Sequence, residues 1–194
     1  MKILVFPVTI SLEEAVKRLK KRERKLGEFF SIEVIYAPFW FFTFNYTIRK
    51  DQKKVGTTVI AADTILGEVA FFQGKMKNVK EVEVSENHIL TPTVKFEEAA
   101  KKAKEELKRQ IFNKFLWRIQ KIMVKLKEAQ LIYLPFWIGY YKTRENTIQI
   151  EVVNALSGEI GDAWYEKIIC EGLKVKYTRS NSRVYVSNSN ARQL

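Results

Sequence analysis

Nucleophilic or acid–base chemistry in this 194-residue chain would have to draw on one histidine, one cysteine and the carboxylates. His88 stands in Glu86-Asn87-His88-Ile89-Leu90-Thr91-Pro92, which reads as a linker. Cys170 follows Ile168-Ile169 and reads as a small buried hydrophobe. A nucleophile needs a base within reach, and nothing in the spacing joins these two. A lone cysteine closes no internal disulfide, and no zinc-ligand spacing is present. Asp63 with Glu68, and Asn154 with Glu159, flank tight turns. The matched Asp and Asn suit a backbone-capping role, whereas acid–base work would need the carboxylate in both places. No glycine-rich phosphate loop occurs. No catalytic residue, metal or cofactor is assigned, and a non-enzymatic protein is expected.

Binding chemistry is better represented. The chain carries 34 Lys and Arg against 22 Asp and Glu, a net charge of +12. Lys17, Arg18, Lys20, Lys21, Arg22, Arg24 and Lys25 crowd one short stretch with Glu23 as the only acid among them. Lys101, Lys104, Lys108 and Arg109 form a second group. Together they are the candidate anion-binding surface, since a positive field favours nucleic acid or acidic lipid. Lysines mixed with glutamates also make an ordinary solvated face. Nucleic-acid binding gains from exposed aromatics. The aromatics here sit at core-like strand spacing, so exposure of Tyr36, Tyr133, Tyr140 or Tyr141 would be needed. Phe112, Phe115, Leu116, Trp117 and Met123 form a candidate interface. A protein partner or a second copy is expected first, nucleic acid second and a membrane surface third. No small-molecule substrate is indicated.

The elements that must position these residues show an internal repeat. Three stretches recur in the same order: Thr9–Ala15 with Thr93–Ala99, Ile35–Trp40 with Ile132–Trp137, and Asp63–Val69 with Asn154–Ile160. The shared Ile-Tyr-x-Pro-Phe-Trp is specific because Trp and Pro are rare. In the first copy Ser11 and Glu14 form a capping box. Leu12, Ala15, Val16, Leu19 and Leu26 keep helical spacing, and Gly27 stops the helix. Trp40, Phe42, Phe44, Tyr46 and Ile48 alternate with polar residues as in a half-buried strand. A loop at Asp51–Lys54, a strand over Val55–Ala62, a turn over Asp63–Gly67 and a strand over Val69–Phe72 follow. The second copy predicts strands over Leu131–Lys142, Thr147–Val153 and Ile160–Tyr165. Its helix could run from Lys95 to about Glu128, roughly 50 Å at 1.5 Å per residue. Its wide apolar second half would be buried between two sheets or on a partner subunit.

The helix starts Ser11–Ala15 and Lys95–Ala99, with the closing turns Asp63–Val69 and Asn154–Ile160, resemble PepSY-like units of cystatin-like topology. That resemblance implies a non-enzymatic module of protein interaction or protease regulation. The expected fold is therefore α+β: two tandem helix-plus-antiparallel-sheet repeats with a long second helix and pseudo-twofold character. Residues 1–90 and 91–172 are the repeats, each Pro-Phe-Trp beginning a central strand of its own sheet. Residues 173–194 form a hairpin or loose tail. The short apolar N-terminal run and the lack of a membrane-length segment suggest a cytoplasmic protein.

Overall fold

The structure is a computed structural model of the chain and describes residues 1–49, 54–74, 76–115 and 121–189. It is α+β. Seven strands among the described residues form one sheet in the order β4-β3-β2-β6-β1-β5, with β7 also on β6. They are β1 (Lys2–Val5), β2 (Glu28–Arg49), β3 (Lys54–Asp63), β4 (Val69–Phe72), β5 (Lys80–Glu83), β6 (Lys121–Lys142) and β7 (Ile148–Asn154). The helices are α1 (Leu12–Lys20), α2 (Glu23–Leu26), α3 (Phe96–Phe115) and α4 (Ala163–Ser189).

The sheet is organised by β2 and β6, which pair antiparallel from Glu28 opposite Lys142 to Arg49 opposite Lys121. Ala37 lies opposite Leu134. Around that pair the two Ile-Tyr-x-Pro-Phe-Trp segments face each other, Ile35 against Phe136 and Phe39 against Ile132. The Pro-Phe-Trp segments therefore do not begin strands of separate sheets, as expected from sequence; they lie in mid-strand, side by side. A mid-strand proline normally removes a ladder bond. Here the Pro38 carbonyl accepts from Thr64 N, and the Pro135 carbonyl from Ala155 N, both in the turns beyond the neighbouring strands. In an antiparallel ladder a residue's N and O point to the same side. Neither proline nitrogen is thus needed between β2 and β6.

Side-chain alternation divides the sheet into two faces. One carries Ile35, Ala37, Phe39 and Phe41 with Ile132, Leu134, Phe136 and Ile138, packed with Ile168, Ile169 and Leu173 of α4. The other carries Phe42, Phe44 and Ile48 with Ala99, Ala103 and Leu107 of α3. On the same side Leu19 of α1 clusters with Tyr141, Trp137 and Val153. Each long strand has one extra residue, Phe30 in β2 and Lys127 in β6, where the register shifts.

α1 starts at Ser11, whose Oγ accepts from Glu14 N at 3.2 Å. α2 ends at Gly27, with φ 113°, where a Cβ would meet the Lys142 carbonyl oxygen at 2.3 Å. The helices pack on strands from the other end of the sequence. Thr9 N and Ile10 N donate to the Ala155 carbonyl at 2.9 and 3.0 Å, and Trp137 Nε1 to the Ile10 carbonyl at 2.8 Å. Thr93 N and Val94 N donate to the Thr64 carbonyl at 2.8 and 2.9 Å. α1 sits on β6 and β2, and α3 on β3, β2, β4 and β6.

Three expectations are corrected. The helix begun near Lys95 ends at Phe115, and Lys121–Gln130 is strand, because it pairs with Phe41–Arg49. Ile160 makes one bridge to Val153, after which the chain turns into α4 rather than continuing as a strand to Tyr165. α4 starts where Asp162 Oδ1 accepts from Trp164 N and Tyr165 N, and it runs to Ser189, so residues 173–189 are helix and not a hairpin. The loop expected at Asp51–Lys54 has its first three residues outside the described ones, while Lys54 opens β3.

Candidate anion-binding surface

Local sequence divides the first basic group between two tasks. Arg18 is committed to structure: its Nη2 meets Glu14 Oε1 at 2.5 Å and its Nη1 donates to the Gly158 carbonyl at 2.6 Å. Arg22 is committed too, with Nε 3.3 Å from Oε2 of Glu151, a carboxylate only 3% exposed on β7. Lys17, Lys20, Lys21, Arg24 and Lys25 are exposed, and none forms an ion pair within 4 Å among the described residues. Their spacing puts them along one side of α1 and its continuation into α2. Next to them an open cleft is lined by Arg24, Lys142 and Arg144 with the acids Glu23 and Glu28, and by Gly27 and Thr143. The cations of α1 and α2 thus extend onto the end of β6 as a positive rim.

The second basic group differs. Lys101, Lys104 and Lys108 are exposed on α3, but Arg109 is clamped by Glu106 through two 2.7 Å hydrogen bonds. That clamp holds the Glu106 carboxyl below its ordinary range. Lys102 pairs with Glu98, and Glu97 and Glu105 interleave with the rest. α3 is therefore nearly balanced in charge, as a solvated face is. α1 and α3 share one side of the sheet, α1 toward β6 and α3 toward β3 and β4, with β2 beneath both.

The candidate interface is also divided. Phe112 is exposed on α3 and Met123 on β6. Phe115 closes α3, and Leu116 and Trp117 lie outside the described residues.

No known protein family, curated protein or solved structure matches this chain. The local chemistry must therefore speak for itself. His88 Nδ1 lies 2.8 Å from the Val34 carbonyl, and burial pushes the Cys170 thiol up, away from the reactive thiolate. Among the described residues no three His, Cys, Asp or Glu side chains converge as a metal group, and no helix is long and apolar enough to cross a membrane. Asp63 and Asn154 both cap turns: Asp63 accepts from the backbone N–H groups of Ile65, Leu66, Gly67 and Glu68, and Asn154 from Leu156 and Ser157.

Of the four tyrosines singled out from sequence, Tyr133 and Tyr141 are buried and Tyr36 and Tyr140 half-buried. Sequence reading missed Phe30. As the extra residue of the β2 bulge it leaves the strand's alternation, is 53% exposed and packs its ring 6.3 Å from that of Tyr140. A bulge re-aims a side chain, and no single-sequence pattern announces it.

Proposed function

We propose that this is a non-enzymatic binding protein, working in the cytoplasm, whose partner is a polyanion held on the α1–α2 rim. The observation that carries the reading is the run Lys17, Lys20, Lys21, Arg24 and Lys25, exposed and without ion pairs among the described residues, next to Lys142 and Arg144. Cations that serve only solubility are usually interleaved with acids, as on α3. A cluster of one sign raises the local concentration of an anion and contributes counterion release when it binds.

The reading extends to the origin of the fold. We take the chain as a duplicated helix-plus-sheet unit, cystatin-like in its helix-on-sheet packing, in which the two copies exchange helices. Supporting this, sequence-equivalent groups make equivalent bonds: Thr9 and Ile10 to Ala155, Thr93 and Val94 to Thr64. Val5 pairs with Tyr133 in parallel, and Ile89 with Tyr36. Phe30 and Lys127 occupy equivalent bulges. On this reading the binding rim belongs to one copy only, as expected when a duplicate diverges.

The test is fluorescence anisotropy of a labelled mixed-sequence oligonucleotide across a salt series. Binding at low salt that weakens steeply as salt rises is expected. Unchanged anisotropy at low salt would remove the reading.

A further inference from the structure

Resting on that polyanion reading, we propose that the cleft between β7 and α4 is a stacking site for an unpaired base, so that the partner is single-stranded nucleic acid. The cleft holds about 640 Å³ and is lined by Ile148, Ile150, Leu173 and Tyr177, among others. Its β7 residues pair directly with the aromatic strand: Ile150 lies opposite Tyr140, and Ile148 opposite Lys142. Tyr140 in turn lies opposite Ser31, beside the bulged Phe30.

Tyr177 lines the cleft, and Tyr140, whose phenol feels Tyr177 electrostatically, packs its ring against that of Phe30. Phe30 is 53% and Tyr177 59% exposed, and the Tyr140 ring centroid is 6.3 Å from that of Phe30. The Tyr140 hydroxyl is tied to the Glu33 carboxylate, which holds the ring in place. Burial and that bond push its phenol up, and Tyr177 acts on it electrostatically. The phenol stays neutral, as a stacking surface should.

Charge completes the site. Lys142, opposite Ile148, also lines the rim cleft with Arg24 and Arg144. The rim and the cleft lie on opposite faces of the sheet, so a strand whose phosphates follow the α1–α2 rim reaches the cleft by rounding the end of β6 at Lys142. Base stacking on aromatics tolerates any sequence, while duplex DNA keeps its bases inside and offers no such face. The neighbouring apolar walls of Ile148 and Ile150 exclude water from a stacked base but give nothing to a bare phosphate chain.

The experiment compares two probes of similar charge on the full chain: a labelled oligothymidine and an inorganic polyphosphate. The variants are Phe30→Ala and Tyr177→Ala, both at exposed positions, with circular dichroism as the check on folding. Each variant is expected to bind oligothymidine about tenfold more weakly, with polyphosphate affinity unchanged. Equal loss for both probes, or no loss for either, overturns the stacking site while leaving the polyanion reading intact. Failure of the unaltered chain to bind either probe overturns both.

Discussion

Gly139 and Leu19 are fitted to each other: a Cβ on Gly139 would stand 2.8 Å from Leu19 Cδ2 and 2.9 Å from Cδ1. Leu19 is fully buried, so its methyl groups have little room to retreat. Under the proposed duplication the matching positions hold Phe42 and Ala103, which share one buried cluster under α3. There the large residue stands on the strand and the small one on the helix. Gly139→Ala should cost about 1–3 kcal/mol through overpacking, and Leu19→Ala about 2–5 kcal/mol through the cavity left behind. The double variant should cost less than the sum, because each change relieves the other. Urea midpoints of the four proteins check this.

Asp63 and Asn154 should respond differently to the same kind of change. Asp63 is fully buried and its two oxygens serve four backbone donors. Asp63→Ala leaves those N–H groups in a site that excludes water and should cost roughly 3 kcal/mol or more. Asp63→Asn keeps one acceptor oxygen but turns an NH2 group toward Glu68 N, and should cost roughly half as much. Asn154→Ala strands fewer donors and should cost least. Thermal or urea unfolding of the three variants gives the ranking.

Glu166 gives the fold a pH dependence of definite sign. Burial first, then the charges of Glu151 and Asp162, raise its pKa above the ordinary 4.5, while Arg22 and Lys25 oppose the shift. Between 4.5 and the raised native value the unfolded chain has lost this proton and the native chain has kept it. Stability contributed at this site therefore falls as pH rises through that window, and the loss persists at neutral pH. Glu166→Gln should gain stability relative to the unaltered chain at pH near 7 and lose that advantage at pH below about 4.5, where Glu166 is protonated in both the native and the unfolded chain. Urea midpoints of both proteins at the two pH values measure it.

The reach of sequence reading follows the range of the forces involved. Ser11, Gly27 and Asp63 act through bonds within a few residues, so their roles were legible. The alternation from Trp40 to Ile48 was legible because one face of β2 is buried under α3. Residues beyond Lys121 were not: Ile122, Val124 and Leu126 suit either period, the extra residue at Lys127 breaks the alternation, and pairing with β2 decides. Asp162 does not read as a helix start because Ile160–Tyr165 reads as the strand that matches Val69–Phe72, and the tail reads as a hairpin because Val175, Tyr177, Val184 and Val186 alternate. The basic rim was legible as composition. That Arg18 and Arg22 are consumed by Gly158 and Glu151 was not, since those partners lie far along the chain.

The central claim is that the α1–α2 rim, and not the helix surface of α3, holds the polyanion. The direct measurement is the salt dependence of oligonucleotide affinity for two triple variants, Lys17→Gln/Lys20→Gln/Lys21→Gln and Lys101→Gln/Lys104→Gln/Lys108→Gln. The first should flatten the slope of log K against log salt by about 0.7 for each phosphate that is no longer neutralised, and the second should leave it nearly unchanged. Equal slopes for the first variant and the unaltered chain, or a larger flattening from the second, would contradict the account.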